Sequence, residues 1–180
     1  MSRIGKKAIL IPEGIKVELK ENNLIHVMSS AHHLKYQINP LLQIDIKDNL
    51  IHISNSHDQV FMKKIHGTTR AILFNMIQGL IKLFVKKIEI VGLDYHVKKE
   101  GLNLIFNLGF SHAITVPIYD NVEVEIIKNK EIILKGIDKQ IVGEMSGKIL
   151  KLRKPEPYNG KGIHLFGAYV HRKAGKSTKK

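Results

Sequence analysis

The chain has 180 residues, with 29 Lys plus Arg against 16 Asp plus Glu for a formal net charge of +13, 43% hydrophobic residues and no cysteine. That length and apolar fraction are enough to bury a core in one ordinary domain or two small ones, which excludes a disordered chain. The missing cysteines exclude a disulfide framework, a Cys-ligated zinc, an iron–sulfur cluster and a thiol nucleophile.

The opening Met1-Ser2-Arg3-Ile4-Gly5-Lys6-Lys7 is charged, but no apolar stretch of a signal peptide follows it. No later segment approaches the ~18 uninterrupted apolar residues of a membrane helix. The expectation is a cytosolic protein with no membrane partner. Alternation at Ile15/Val17/Leu19, Leu24/His26/Met28, Ile44/Ile46 and Ile51/Ile53 predicts short strands, broken by Glu21-Asn22-Asn23 and Asp48-Asn49. The period then changes. Phe61, Ile65, Ile72, Met76, Leu80 and Phe84, flanked by Leu73, Ile77 and Ile81, follow helical spacing, with Asp58 placed to cap the first free amides. Further strands are predicted near Ile88–Val91, Leu104–Leu108, Ile114–Val116, Val122–Ile126 and Ile132–Lys135. A second helix starts at about Asp138, carries Ile141, Val142, Met145, Ile149 and Leu152, and must stop near Lys154 because Pro155 disfavours helical geometry before it.

The two halves repeat. Asn23-Leu24-Ile25 returns as Asn103-Leu104-Ile105, Ser30-Ala31-His32 as Ser111-His112-Ala113, Leu50-Ile51-His52-Ile53 as Ile132-Ile133-Leu134, and Gly67 as Gly147, all displaced by 80 to 82 residues. Strands clustered ahead of a helix, with turns too short for parallel crossovers, indicate an antiparallel sheet covered by that helix. The sequence thus predicts an α+β fold of two tandem duplicated units, residues 1–82 and 83–154, followed by a basic Pro/Gly-containing C-terminal extension, residues 155–180.

The charge is concentrated at the end. Residues 1–82 carry 11 basic and 6 acidic groups, residues 83–147 carry 8 and 9, and residues 148–180 carry 10 basic groups against Glu156 alone. So dense a cluster fits a polyanion, and without a Leu/Phe-rich apolar face beside it the fit is to nucleic acid rather than to a membrane surface. Only Arg3, Arg70, Arg153 and Arg172 are arginine, leaving 25 lysines as flexible point charges, which favours phosphate contact over base-edge readout. In Pro155-Glu156-Pro157-Tyr158-Asn159-Gly160-Lys161-Gly162-Ile163 the prolines enforce an extended path. Gly160 and Gly162 let the backbone either approach a bulky partner or turn sharply. Lys161 is the phosphate candidate; Tyr158 either stacks on a base or packs on the sheet. Lys151, Arg153 and Lys154 precede this segment, and Arg172, Lys173, Lys176, Lys179 and Lys180 follow it in a tail from Ala168 expected to be mobile.

Other chemistry fits poorly. Gly175-Lys176-Ser177 ends like a phosphate-binding loop, but Val170 stands where its first glycine is required. Gly109-Phe110-Ser111-His112-Ala113 is half of a nucleophile elbow that precedes a strand rather than a helix. The ten histidines follow no zinc-site spacing, and Glu123 and Glu125 read as a solvated sheet face. His26 and His52 are expected to be solvent-facing or satisfied on their strands, while His164 and His171 could add charge against phosphate. No enzyme, cofactor, metal or small-molecule substrate is expected. The rival reading, a small phosphotransfer or hydrolytic enzyme with a basic tail, would need convergent carboxylate, Ser or His side chains in a deep pocket.

Several stretches resemble a known family: the Met1–Lys7 opening, Gly67-Thr68-Thr69-Arg70-Ala71, Leu108-Gly109-Phe110-Ser111-His112, Leu134-Lys135-Gly136-Ile137-Asp138-Lys139-Gln140 and, most specifically, Arg153-Lys154-Pro155-Glu156-Pro157-Tyr158 with Gly160-Lys161-Gly162-Ile163. Along its whole length the chain is similar to bacterial-type large-subunit ribosomal protein six. That resemblance implies a structural constituent of the large ribosomal subunit. It further implies binding of large-subunit rRNA near the factor-binding region and stalk base, mainly through the second domain and C-terminal extension, with neighbouring ribosomal proteins as partners. It implies RNA contacts at Lys154, Tyr158, Lys161 and the basic tail, and leaves Arg70, Lys82, Lys86 and Lys87 open. The sequence departs from the family pattern at Ala8, Asn159, His164 and Leu165, where proline, lysine, arginine and an aromatic are usual; Asn159 and His164 lower the fixed charge beside the signature.

Overall fold

The computed structural model describes residues 5–55 and 59–176; Arg3, His57, the expected cap Asp58, Ser177, Lys179 and Lys180 lie outside the described residues. The chain divides into two units, one ending at Leu83 and the other beginning at Phe84.

In the first unit the strands are β1 (Ile9–Leu10), β2 (Lys16–Lys20), β3 (Leu24–Met28), β4 (His33–Gln37), β5 (Leu42–Lys47) and β6 (Leu50–Asn55), followed by helix α1 (Val60–Ile81). They form two antiparallel sheets, ordered β2-β3-β4 and β1-β6-β5. Asp48 and Asn49, both at positive φ, make the two-residue turn between β5 and β6, a backbone region that Asn and Asp enter more readily than other residues with a Cβ. Helix α1 packs on β6 and β3. Its buried row is Met62, His66, Thr69, Leu73, Met76 and Ile77. The expected stripe is therefore out of phase at both ends: Phe61 and Ile81 are exposed, and Phe84 opens the next strand. Gln59 occupies the N-cap position without a capping side-chain bond. His66 enters the core because its Nε2–H donates to the Ile53 carbonyl at 2.8 Å.

The second unit repeats the plan with β7 (Phe84–Val91), β8 (His96–Glu100), β9 (Asn103–Asn107), β10 (Ile114–Pro117), β11 (Val122–Ile127), β12 (Glu131–Gly136) and helix α2 (Lys139–Leu152), then adds β13 (Gly162–Leu165). Its sheets are ordered β8-β9-β10 and β11-β12-β7-β13, all antiparallel. Asp138 caps α2 by accepting from the Gln140 amide at 2.7 Å. Val142, Met145 and Ile149 of α2 close a core with Ile88, Ile90, Leu104, Phe106, Ile132, Leu134 and Ile163. Both units are α+β, each with two small sheets where the sequence suggests one. Part of the segment read as an extension, Gly162–Leu165, is the fourth strand of a sheet in the second unit.

Candidate nucleic-acid interface

The basic segment starts inside α2. Lys151 is exposed in the last helical turn, where a cation also complements the helix dipole. The helix ends at Leu152, and Arg153 turns extended at φ −149° and ψ 103°. Its side chain is half-buried and lies against neighbouring segments of the same unit. One Nη1–H donates to the Leu108 carbonyl at 2.6 Å, and the group lies 5.1 Å from the Tyr95 ring centroid and 4.9 Å from that of Phe110. Arg153, expected to contact RNA, first of all fixes the exit of the chain from α2.

Lys154 is exposed, and the next residues close on themselves. The Glu156 amide donates to the Lys161 carbonyl at 2.8 Å, the Gly160 amide to the Glu156 carbonyl at 2.9 Å, and the Ile163 amide to the Arg153 carbonyl at 2.9 Å. The result is a tight loop tied across its neck, continuing directly into β13. Both glycines are buried, and their conformation is required by the loop itself. Gly160 has φ +71°, and a Cβ there would stand 2.9 Å from Arg172 Nε; Gly162 has φ +146°, and a Cβ there would stand 2.7 Å from the Lys154 carbonyl oxygen. The amide of Gly160 is already engaged, so it has no donor to offer a phosphate.

What the loop presents is side chains. Lys161 is exposed, and Tyr158 is 55% exposed, which answers the open alternative: its ring is on the surface. The segment read as a mobile tail returns to the loop. Arg172 lies against Gly160, and the Lys173 amide donates to the Pro157 carbonyl at 2.8 Å. Lys154, Tyr158, Lys161, Arg172 and Lys173 are thus gathered around one loop whose only carboxylate is Glu156. Lys176 is exposed three residues beyond Lys173.

The remaining candidates sit elsewhere. His164 donates from Nδ1 to its neighbour's carbonyl, Leu165 O, at 3.0 Å and pairs across the sheet with Glu89. Arg70 donates to the Lys7 carbonyl at 3.3 Å and stacks on Phe74 at 5.0 Å, while Lys87 lies 5.8 Å from the Phe166 ring centroid. His52 is exposed, but His26 is buried and its Nε2 has no hydrogen-bond partner among the described residues, contrary to the expectation for it. Its pKa is lowered, first by burial and then by Lys20 and Lys35. The sequence reading missed Tyr95 and Phe110, which seat Arg153; the one signal was an aromatic after a glycine in Leu108-Gly109-Phe110.

Comparison with known proteins places this geometry in context. The family model described as Ribosomal protein L6 matches residues 11–82 and 91–164, one match in each unit. The Large ribosomal subunit protein uL6 of Phytoplasma mali is 54% identical over 181 residues, covering 100% of both chains. That of Aster yellows witches'-broom phytoplasma is 52% identical over 180 residues, 100% of this chain and 98% of the relative, and that of Clostridioides difficile is 42% identical over 180 residues, 100% of both. A family match in both units and identities of this size along the full length establish that the chain belongs to the ribosomal protein L6 family of structural, non-enzymatic proteins.

Proposed function

We propose that this protein is built into the large ribosomal subunit and binds large-subunit rRNA, chiefly through its second unit and the segment 155–180, near the factor-binding region beside the stalk base and in contact with neighbouring ribosomal proteins. The observation that carries the reading is the loop of residues 155–162, which collects four exposed cations, Lys154, Lys161, Arg172 and Lys173, around a surface tyrosine. Lysines neutralise phosphates as point charges and release condensed counterions, while Tyr158 offers a face to a base or sugar. The closed neck of the loop holds these groups in a fixed pattern before the RNA arrives, which lowers the ordering cost of binding. Gly160 and Gly162 act by keeping that neck closed, and Lys151 and Lys176 extend the positive surface at either end.

The test is salt-dependent binding of the full chain, and of a Lys154→Gln/Lys161→Gln/Arg172→Gln/Lys173→Gln variant, to large-subunit rRNA and to an unrelated structured RNA of equal length. Truncation after Lys154 is a poorer test, because it also removes β13 and its buried Ile163. The parent is expected to prefer the ribosomal RNA, and the variant to lose affinity with a log–log salt slope smaller by up to about 0.9 for each phosphate contact removed. Equal binding of both RNAs, with every difference erased by salt, would leave only a nonspecific polycation and overturn the reading.

A further inference from the structure

Three loops of the second unit meet at Arg153. The turn after β7 brings Tyr95, the loop between β9 and β10 brings Leu108 and Phe110, and the end of α2 brings Arg153 itself. The β13 pairing of Gly162 with Val91 places the neck of the basic loop at this same end of the sheet. The Arg153 guanidinium is half-buried, and among the described residues no carboxylate forms an ion pair with it. Its partners are a neutral carbonyl and two aromatic rings, so its charge is held in place but left uncompensated. Of its five N–H donors one is used, and the others are not sealed in, since the one buried unpartnered polar side-chain atom among the described residues is His26 Nε2. An immobilised cation with open donors at the surface is suited to phosphate, which a guanidinium meets in planar, bidentate fashion.

The loop beside it has matching features. Leu108-Gly109-Phe110-Ser111-His112-Ala113 contains no acid, Phe110 is 47% exposed with Arg153 against its ring, and Ser111 and His112 are exposed at the tip. Across the three converging segments, residues 92–95, 108–113 and 153–161, the carboxylates are Asp94 and Glu156, against Arg153, Lys154 and Lys161. We propose that the β9–β10 loop and Arg153 form a second RNA contact next to the basic loop, in which Arg153 meets a phosphate and Phe110 and His112 meet the adjoining sugar or base. The proposal rests on the rRNA-binding reading above and extends it: the interface has two lobes hinged on one arginine, and the element that looks like half of a catalytic elbow is a ligand-facing tip.

The experiment measures binding of the full chain to large-subunit rRNA for parent, His112→Glu, His112→Lys, Phe110→Ala, Lys161→Ala and Ser54→Glu, with thermal melts alongside. His112 is exposed, so both of its variants should melt as the parent does. His112→Glu is expected to weaken binding at least tenfold, and His112→Lys to steepen the salt slope by up to about 0.9, as one added phosphate contact would. Phe110→Ala should weaken binding with little change in slope, the signature of lost stacking. Ser54→Glu puts the same charge on an exposed strand position of the first unit and should bind as the parent does. If His112→Glu and Phe110→Ala bind like the parent while Lys161→Ala is weakened, the loop is outside the interface and this proposal falls while the broader reading stands. If Ser54→Glu loses as much as His112→Glu, the effect is net charge alone and the proposal also falls. A parent with no preference for ribosomal RNA would remove both.

Discussion

The two units share one plan and differ in what is attached to it. The sheet β1-β6-β5 of the first corresponds to β7-β12-β11 of the second, and β2-β3-β4 corresponds to β8-β9-β10. In the first unit β1 is two residues long and ends its sheet; in the second its counterpart β7 has eight residues and pairs with β13 on its other side. The helix shortens from 22 residues in α1 to 14 in α2. The charge difference lies in the addition: residues 83–147 carry 8 basic and 9 acidic groups, and the excess comes from residues 148–180. The two scaffolds are alike, and the second differs by an added edge strand that fastens a basic loop to it.

The most severe way to break this comparison is to remove the fastening. Ile163 is 1% exposed, so Ile163→Ala should cost about 2–5 kcal/mol in the second unit, read as lost hydrogen-exchange protection in β7 with α1 unchanged. Unaltered protection of β7 would show that β13 is an ornament. A smaller contrast lies at the helix caps. Asp138→Ala should cost about 1 kcal/mol, whereas Gln59→Ala, which removes no capping bond, should be nearly neutral in denaturant titration. Equal effects would mean the cap geometry does not distinguish the helices.

The smallest expected effect belongs to the first unit alone. His26 lies on the central strand between Glu18 and Lys35, with Lys20 and His33 also facing it, and burial together with the lysines lowers its pKa. Between the lowered folded pKa and the ordinary 6.5 the unfolded chain binds more protons than the folded one. The stability contribution is therefore complete above about pH 6.5 and declines as pH falls through the folded value. Melting of the first unit should drop between pH 7.5 and 5.5 more in the parent than in His26→Phe; parallel curves would exclude the effect.

Much of the fold is legible in the sequence because it is written in apolar periodicity. Strands such as β6 and β12, with alternating buried residues, and both helices announce themselves. β8 does not, since Val97 alone is buried there, and in β4 the alternation is carried by half-buried Leu34 and Tyr36 among polar neighbours. β13 is disguised by the glycines and prolines before it. At the candidate site, residue types show where cations accumulate. The tasks of Arg153 and of the glycines were not legible, because they are set by the Leu108 carbonyl, the Tyr95 and Phe110 rings and the Arg172 side chain, all distant in sequence.

β13 also sets an order of events during synthesis. The first unit is complete once α1 has emerged, and it can fold while the rest of the chain is still being made. The second cannot close its larger sheet until residues 162–165, which follow α2, have been added. Until then β7 presents an unpaired edge, the kind of surface that recruits a wrong strand. The strand that covers this edge also anchors the C-terminal end of the basic loop, and Arg172 and Lys173, still later in the chain, are the last of its cations to join it.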